Sequence, residues 1–309
     1  MVDHTSQLRE RVLRSLTLDR TPGYHFTGHF LSPSFDQVSV ATARVSLKVG
    51  PYCTDANGNL DFGALMVFAD LAVAANVRAG HDLATRLATV NLNMHFLGVP
   101  ISGIAEASTS LNGYLSDTAC LQGTGTFVIT ANRQPVCFGT GAFMVLDPPE
   151  GVTLHRRQLR QVFDPDAAPL SENELTLNER LILQRADEAI AACDDGAFLR
   201  RFWGFETKRN LNGAEGMLKN GPHISNRVGH VQGGVTMGLG IATTEAALPP
   251  NWMMSAVSAW FIRPCEGDTI RAESRVIHEG KFTSVLRTEI TGKNGRQVME
   301  MVTTHARKA

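Results

Sequence analysis

Residues 61–77 read DFGALMVFADLAVAANV, and the fold turns on what this stretch is. It has the length of an ordinary long helix. It is apolar on nearly every face, which in a helix means burial on all sides. It is too short and too interrupted for a membrane span. Asp70 sits in its middle. A carboxylate inside a buried helix is costly unless it is paired or put to use, so Asp70 is the first candidate functional residue.

Working outward, the segments on either side read mainly as strands and turns. Upstream, YHFTGHFLSPS (24–34) is rich in turn formers, and VSVATARVSLKV (38–49) alternates as a strand does. PYCTDANGN (51–59) carries an Asn-Gly turn at Asn57-Gly58. Downstream, Gly80 is a plausible helix stop. In ATVNLNMHFL (88–97), Val90, Leu92, Met94 and Phe96 share one face, while Asn91, Asn93 and His95 share the other. Three more strand-like runs follow, at 104–113, 118–130 and 135–146, and Pro148-Pro149 closes the unit. One helix followed by strands at meander spacing implies an antiparallel sheet around that helix.

The same order then recurs. A basic, proline-bearing connector (151–170) leads to Ser171 and Glu174, a capping-box pattern, and to LTLNERLILQRADEAIAA (175–192), read as a surface helix ending near Asp194-Asp195-Gly196. A turn-rich stretch (210–229) precedes HVQGGVTMGLGIATTEAALPP (230–250), a second apolar helix opening on a glycine pair. MSAVSAWFIRP (254–264) and three further strands complete the chain, with a hairpin turn at GKNG (292–295). Laid over one another, DFGALMVFADLA (61–72) and QGGVTMGLGIAT (232–243) align without a gap at an offset of 171. NMHFL (93–97) lies over SAWFI (258–262) at 165, and ANRQPV over NGRQV near 163. The order of elements is kept and the offsets drift only in loops, which marks an internal duplication. The domain boundaries read from it are an N-terminal unit with a short helical extension at 1–150, a linker with a helix at 151–197 and a C-terminal unit at 198–309.

The 309 residues carry 29 basic and 30 acidic side chains, a net charge of −1 that gives no basic patch for nucleic acid or a membrane surface. Ten histidines are scattered without metal-ligand spacing, so neither a metal nor another cofactor is expected. Five cysteines at wide spacing (Cys53, Cys120, Cys137, Cys193, Cys265) favour free thiols in a reducing compartment. The N-terminus MVDHTSQLRERVLRSL reads as a charged amphipathic helix rather than a signal peptide, and a cytoplasmic location is expected.

The residues then resemble a family. A small polar residue and Gly-Gly, an apolar helix with an acid nine residues on, and an FLRP-like strand are similar to the hot-dog-fold acyl-CoA thioesterases, especially the phenylacetate-pathway and 4-hydroxybenzoyl-CoA type, with a motif of roughly HGGxxxxLADxA. FGALMVFADLA and QGGVTMGLGIA each fit part of it, and WFIRP (260–264) matches the later strand. The resemblance spans about 45–150 and 200–309. It implies an α+β fold of two tandem hot-dog units, each an antiparallel sheet wrapped around a helix, packed as a pseudo-dimer with one continuous sheet. It also implies sites between units, where one unit lends the helix acid and the other the glycine loop.

Under that arrangement the two halves are complementary. The first keeps the acid, Asp70, but reads Asp61-Phe62-Gly63 where the glycine loop belongs. The second keeps Gln232-Gly233-Gly234 but has Ile241 at the acid position. One composite working site, Asp70 with Gln232, Gly233 and Gly234, and one degenerate site are expected. In the working site Asp70 would activate water, and the Gly233 and Gly234 amides at a helix N-terminus would polarise a thioester carbonyl. The bland alternatives are a carboxylate tied to backbone or arginine, and glycines kept for tight helix packing. Asn91 and His95 are candidates to line the site, and Arg263 to meet a CoA phosphate. Glu245, one turn past Ile241, could substitute for the missing acid of the second site. The reading is therefore acyl-CoA hydrolysis by a homo-oligomer. The rivals are a non-catalytic acyl-CoA binder or sensor, and a hot-dog dehydratase or hydratase, for which the D-x-N-P-x-H pattern is missing.

Overall fold

The computed structural model describes residues 4–21, 25–81, 85–115, 117–148, 150–151, 167–193 and 196–308. Most of the expected connector, Pro149, and Asp194-Asp195 lie outside them. The elements in chain order are α1 (His4–Asp19), α2 (Phe26–Leu31), β1 (Ser34–Val38), β2 (Thr42–Lys48), α3 (Phe62–Ala79), β3 (Arg86–Phe96), β4 (Ile104–Leu115), β5 (Gln122–Ala131) and β6 (Gln134–Leu146). Then come α4 (Leu177–Ala191), α5 (Phe198–Trp203), β7 (Glu206–Asn210), β8 (Gly213–Lys219), α6 (Gly233–Ala247), β9 (Trp252–Phe261), β10 (Thr269–Glu279), β11 (Thr283–Thr291) and β12 (Gln297–Arg307).

All twelve strands join one antiparallel sheet in the order β1-β2-β4-β5-β6-β3-β9-β12-β11-β10-β8-β7. Read from its centre the order is the same in both directions, so the expected α+β fold, with two wrapped helices and one continuous sheet, is what the chain adopts. The halves meet where β3 pairs with β9. Asn93 there faces Ser258, its own counterpart at the offset of 165, so a pseudo-twofold axis passes through that pair.

The two apolar helices lie inside the sheet's curve. Fifteen of the eighteen residues of α3 are buried, which accounts for its composition. Among the described residues it is the one helix long and apolar enough to cross a membrane, and 83% of that window is buried in the protein. Helices α3 and α6 touch at glycine. A Cβ on Gly234 would come within 2.5 Å of the Val67 backbone, and one on Gly238 within 2.8 Å of Gly63 Cα. Glycine sets this spacing because any larger residue would force the backbones apart.

Several local expectations change. The turn-rich stretch 24–34 contains helix α2, and the turn-rich stretch 210–229 contains strand β8. The capping box of Ser171 and Glu174 caps a 3-10 turn, Glu172–Glu174; a second box, Thr176 with Glu179, starts α4. Helix α4 is half-buried, with Ile182, Leu183, Ala186 and Ala189 inside. It packs with α1 and α5 into a helical layer around an aromatic cluster, in which Phe30 lies 5.2 Å from Phe202 and Phe26 6.0 Å from Phe202. The duplication also reaches further than the sequence reading: FTGHFL of α2 lies over FLRRFW of α5 at an offset of 172, and both helices end in a left-handed cap, Ser32 and Gly204.

Candidate active site

The acid and the glycine loop do meet. Gln232 caps α6: its side-chain Oε1 accepts the Val235 amide at 3.0 Å. That contact leaves its Nε2 facing the other way, where it donates to Asp70 Oδ2 at 3.0 Å. Thr89 donates its hydroxyl to Asp70 Oδ1 at 2.8 Å. A buried carboxylate, 7% exposed, is thus held by one donor from each half, Thr89 of β3 and Gln232 at the cap of α6. Asp70 and Gln232 open on a cavity of about 380 Å³ that also takes in Thr89, Gly233, Thr236 and Phe261.

Thr89 was not among the residues expected here, and the reason is a strand irregularity. In β3 the alternation that buries Leu92 and Met94 would turn Thr89 outward. A bulge between Thr89 and Asn91 resets the phase and points Thr89 at α3. No sequence pattern marks that bulge.

The other expected residues separate. Gly233 lines the cavity, and a Cβ on it would meet only the Phe261 ring, at 3.0 Å. Gly234 lies one residue deeper, against the α3 backbone, where the packing reading applies. Asn91 and His95 are not brought to the cavity. They occupy the outer face of β3 at the seam with β9, where Asn91 Oδ1 accepts from Asn93 Nδ2 and His95 stacks on Phe138 at 5.3 Å. Arg263 stands at the cavity's edge, its Nη1 donating to the Gln297 carbonyl at 2.9 Å. Three more arginines line the same cavity: Arg78 at the end of α3, Arg86 at the start of β3, and Arg227. His25, whose Nδ1 accepts the Gly28 amide at 3.2 Å, reaches it from the cap of α2. Cys265 is in the wall, its thiol pushed up to about 11 by burial and therefore kept protonated. Among the described residues no cluster of His, Cys, Asp and Glu is placed to hold a metal ion.

The reciprocal position is built differently. Asp61, 1% exposed, caps α3 through Oδ1, which accepts the Gly63 amide at 2.7 Å. Its Oδ2 takes Arg200 Nε at 2.6 Å, and Arg200 Nη2 reaches Glu245 at 2.8 Å. Burial acts to lower the Arg200 pKa, but Glu245 and Asp61 more than offset it and hold the guanidinium above its ordinary value. Glu245 is therefore one end of an ion-pair bridge to the cap residue. Ile241, at the acid position, is a buried apolar side chain.

This fold and this meeting of acid and capped glycine turn define a hot-dog-type protein. Solved structures agree on the fold. A candidate oleoyl thioesterase from Lactobacillus plantarum superimposes with a TM-score of 0.54 at 10% identity, over 87% of this chain and 97% of that one. A hot-dog-fold protein of unknown function from Alicyclobacillus acidocaldarius gives 0.52 at 10%, over 90% and 96%. The 12:0-ACP thioesterase from Umbellularia californica gives 0.52 at 10%, over 86% and 94%. A search of curated protein sequences found no match. Residues 222–306, the part of the C-terminal half that carries the glycine turn, match the family described as acyl-CoA thioesterase N-terminal domain. The chain adopts a hot-dog fold, and over residues 222–306 it is similar to an acyl-CoA thioesterase domain.

Proposed function

We propose that the protein hydrolyses an acyl-CoA thioester at one site per chain, with Asp70 activating the water. The observation that carries this reading is the 3.0 Å contact of Asp70 with Gln232 at the N-terminus of α6, inside a cavity. The first amides of a helix have no intrahelical acceptor, and the helix dipole is positive there. Gln232 takes the Val235 amide. The Gly233 and Gly234 amides are the ones that would meet a developing oxyanion. Thr89 and Gln232 fix the carboxylate and leave it lone pairs for a water. Asp70 accepts the water proton as the oxygen attacks the carbonyl carbon; the C–S bond then breaks and CoA leaves as the thiol after taking a proton. Arg78, Arg86, Arg227 and Arg263 suit the anionic phosphates of CoA at the cavity's edge.

Asp70→Asn tests the reading. The Thr89 hydroxyl can turn to accept from the new amide while Gln232 still donates to its oxygen, so the geometry survives and the base does not. CoA release from a panel of acyl-CoAs is expected to fall about 10²–10⁴-fold, the range for loss of a general base. Turnover equal to wild type would end the role of Asp70. Tight CoA-ester binding without turnover in the wild type would instead make the protein a binder.

A further inference from the structure

A second cavity, about 400 Å³, lies at the pseudo-symmetric position. Much of its wall corresponds to the first cavity's wall, although Ile241 and Asp61, the counterparts of Asp70 and Gln232, do not line it. At the offsets of the duplication Asp55 stands for Asn226, Phe62 for Gly233, Phe96 for Phe261, Glu245 for Ala74, Met254 for Thr89 and His305 for Phe143. The substitutions run in one direction. Pro249 stands where Arg78 is, Asn251 where Arg86 is, Ala56 where Arg227 is and Gly98 where Arg263 is. All four arginines are gone. Phe62 fills the space above the cap that Gly233 leaves open. The two acids in the wall are already engaged: Glu245 by Arg200, and Asp55 by the amides of Asn57 and Asn59 at 2.9 Å. His305, 2% exposed, is pulled down to about 4 by burial and is neutral. The remaining lining is hydrocarbon and aromatic, including Leu60, Ile101, Leu248 and Trp252. The indole N–H of Trp252 meets no acceptor among the described residues. At the rim stands the exposed Lys308, counterpart of Leu146, whose Nζ donates to the Pro250 carbonyl at 2.9 Å, and beside it Arg307 lies over the Trp252 ring at 4.7 Å.

We propose that this cavity binds the hydrocarbon chain of a free carboxylic acid, with the carboxylate at Lys308, and performs no hydrolysis. The walls suit an alkyl chain, the loss of the first cavity's four arginines disfavours a nucleotide, and the rim lysine suits a single anionic head. A carboxylic acid is also what the proposed hydrolase reaction releases; to that extent the inference rests on that reading. The site would let the product report its own accumulation to the half of the chain that does no chemistry.

The experiment is fluorescence quenching by 12-bromododecanoate, whose bromine quenches indoles it touches. Of the three tryptophans, Trp203 is fully buried, Trp260 lies exposed on the sheet and Trp252 lines the cavity. Saturable quenching is expected in wild type and equally in Asp70→Asn, with most of it lost in Trp252→Phe. Lys308→Glu should weaken the acid about fivefold, the scale of one exposed charge pair, while leaving binding of 12-bromododecanol and the hydrolysis rate unchanged. CoA alone should not displace the acid. The proposal is overturned by absence of saturable quenching, by quenching that survives in Trp252→Phe, by displacement with CoA, or by equal loss of acid and alcohol in Lys308→Glu. Binding is read without turnover, so failure of Asp70→Asn to lose activity would sink the hydrolase reading and leave this result standing.

Discussion

Gly234→Ala tests the reasoning at the point where packing and chemistry meet. The added methyl would sit 2.5 Å from Val67 N and Cα and 2.8 Å from the Met66 carbonyl carbon. Ordinary contact between such atoms needs about 3.5 Å, so α3 and α6 must separate by roughly 1 Å. The atoms in the way are backbone of a helix buried on all sides, and no side chain can swing aside. Overpacking of this kind costs about 1–3 kcal/mol, which lowers Tm by about 2–4 °C per kcal/mol in a protein of this size or somewhat smaller. A loss of about 5 °C is therefore expected. The same separation stretches the 3.0 Å contact between Gln232 Nε2 and Asp70 past hydrogen-bonding distance.

Activity should therefore fall with stability, at temperatures where the variant is still folded. Gly233→Ala is the control, since its methyl meets only the Phe261 ring edge at 3.0 Å, on a half-buried side chain that can turn. Its Tm should stay within about 1 °C while CoA release drops, because the methyl intrudes on the carbonyl's approach. Differential scanning calorimetry and CoA release, measured on both variants, separate the two roles. A Gly234→Ala protein as stable and active as wild type would refute the account of the helix contact. Equal Tm losses in both would show that the division between a packing glycine and a site glycine is wrong.

Three further outcomes follow from the same geometry. Charge reversal at Arg86 or Arg227 should raise KM for acyl-CoA at least tenfold, with a smaller change in kcat, and should flatten the salt dependence of kcat/KM; an effect confined to kcat would remove the phosphate assignment. His223 and His305, with ordinary values of 6.5, are held near 4, chiefly by burial. The unfolded chain then binds more protons than the folded one between pH 4 and 6.5. Stability is full above about 6.5 and falls as pH drops toward 4, by roughly 3 kcal/mol per histidine. Asp19, raised to about 6 mainly by burial, acts in the opposite sense over part of that window; urea unfolding at pH 7 and pH 4.5 measures the balance, and equal stability would contradict the sign. Asp61→Asn keeps the α3 cap but leaves Arg200 short of a buried partner. It should cost about 3 kcal/mol with kcat per folded molecule unchanged, and a fall in kcat without loss of stability would mean the second site works.

The sequence made the two helices and the meander legible because both are periodic and because the pattern occurs twice. The meeting of Asp70 with Gln232 was legible only through the repeat, since 162 residues separate them. What escaped depended on geometry that periodicity does not encode. Thr89 is turned inward by a bulge, so strict alternation hides it. Arg200 sits on a six-residue helix too short to show a hydrophobic period, yet its bridge explains why both Asp61 and Glu245 are acidic. Asn91 and His95 read as a polar face and are one, but on the side of the sheet away from the helices. A signal for α2 and α5 did exist: Phe26 and Phe30 recur as Phe198 and Phe202.

The exchange of residues between the halves has a physical logic. Around a true twofold axis an acid and a capping glutamine would appear twice, and a substitution in one site would appear in the other. Covalent tandem halves lift that constraint. With Asp61 as the cap, an acid at position 241 would bring a further carboxylate to the buried end of α3 where Asp61 and Glu245 already share Arg200, and like charges in a dry site raise each other's cost. Ile241 adds no further carboxylate there, and Arg200, which stands where α2 has Gly28, bridges the two that are present, Asp61 and Glu245. On the other side Gln232 is neutral, so Asp70 gains a donor rather than a rival. The cap residue decides which helix can carry the acid, and the chemistry follows the cap.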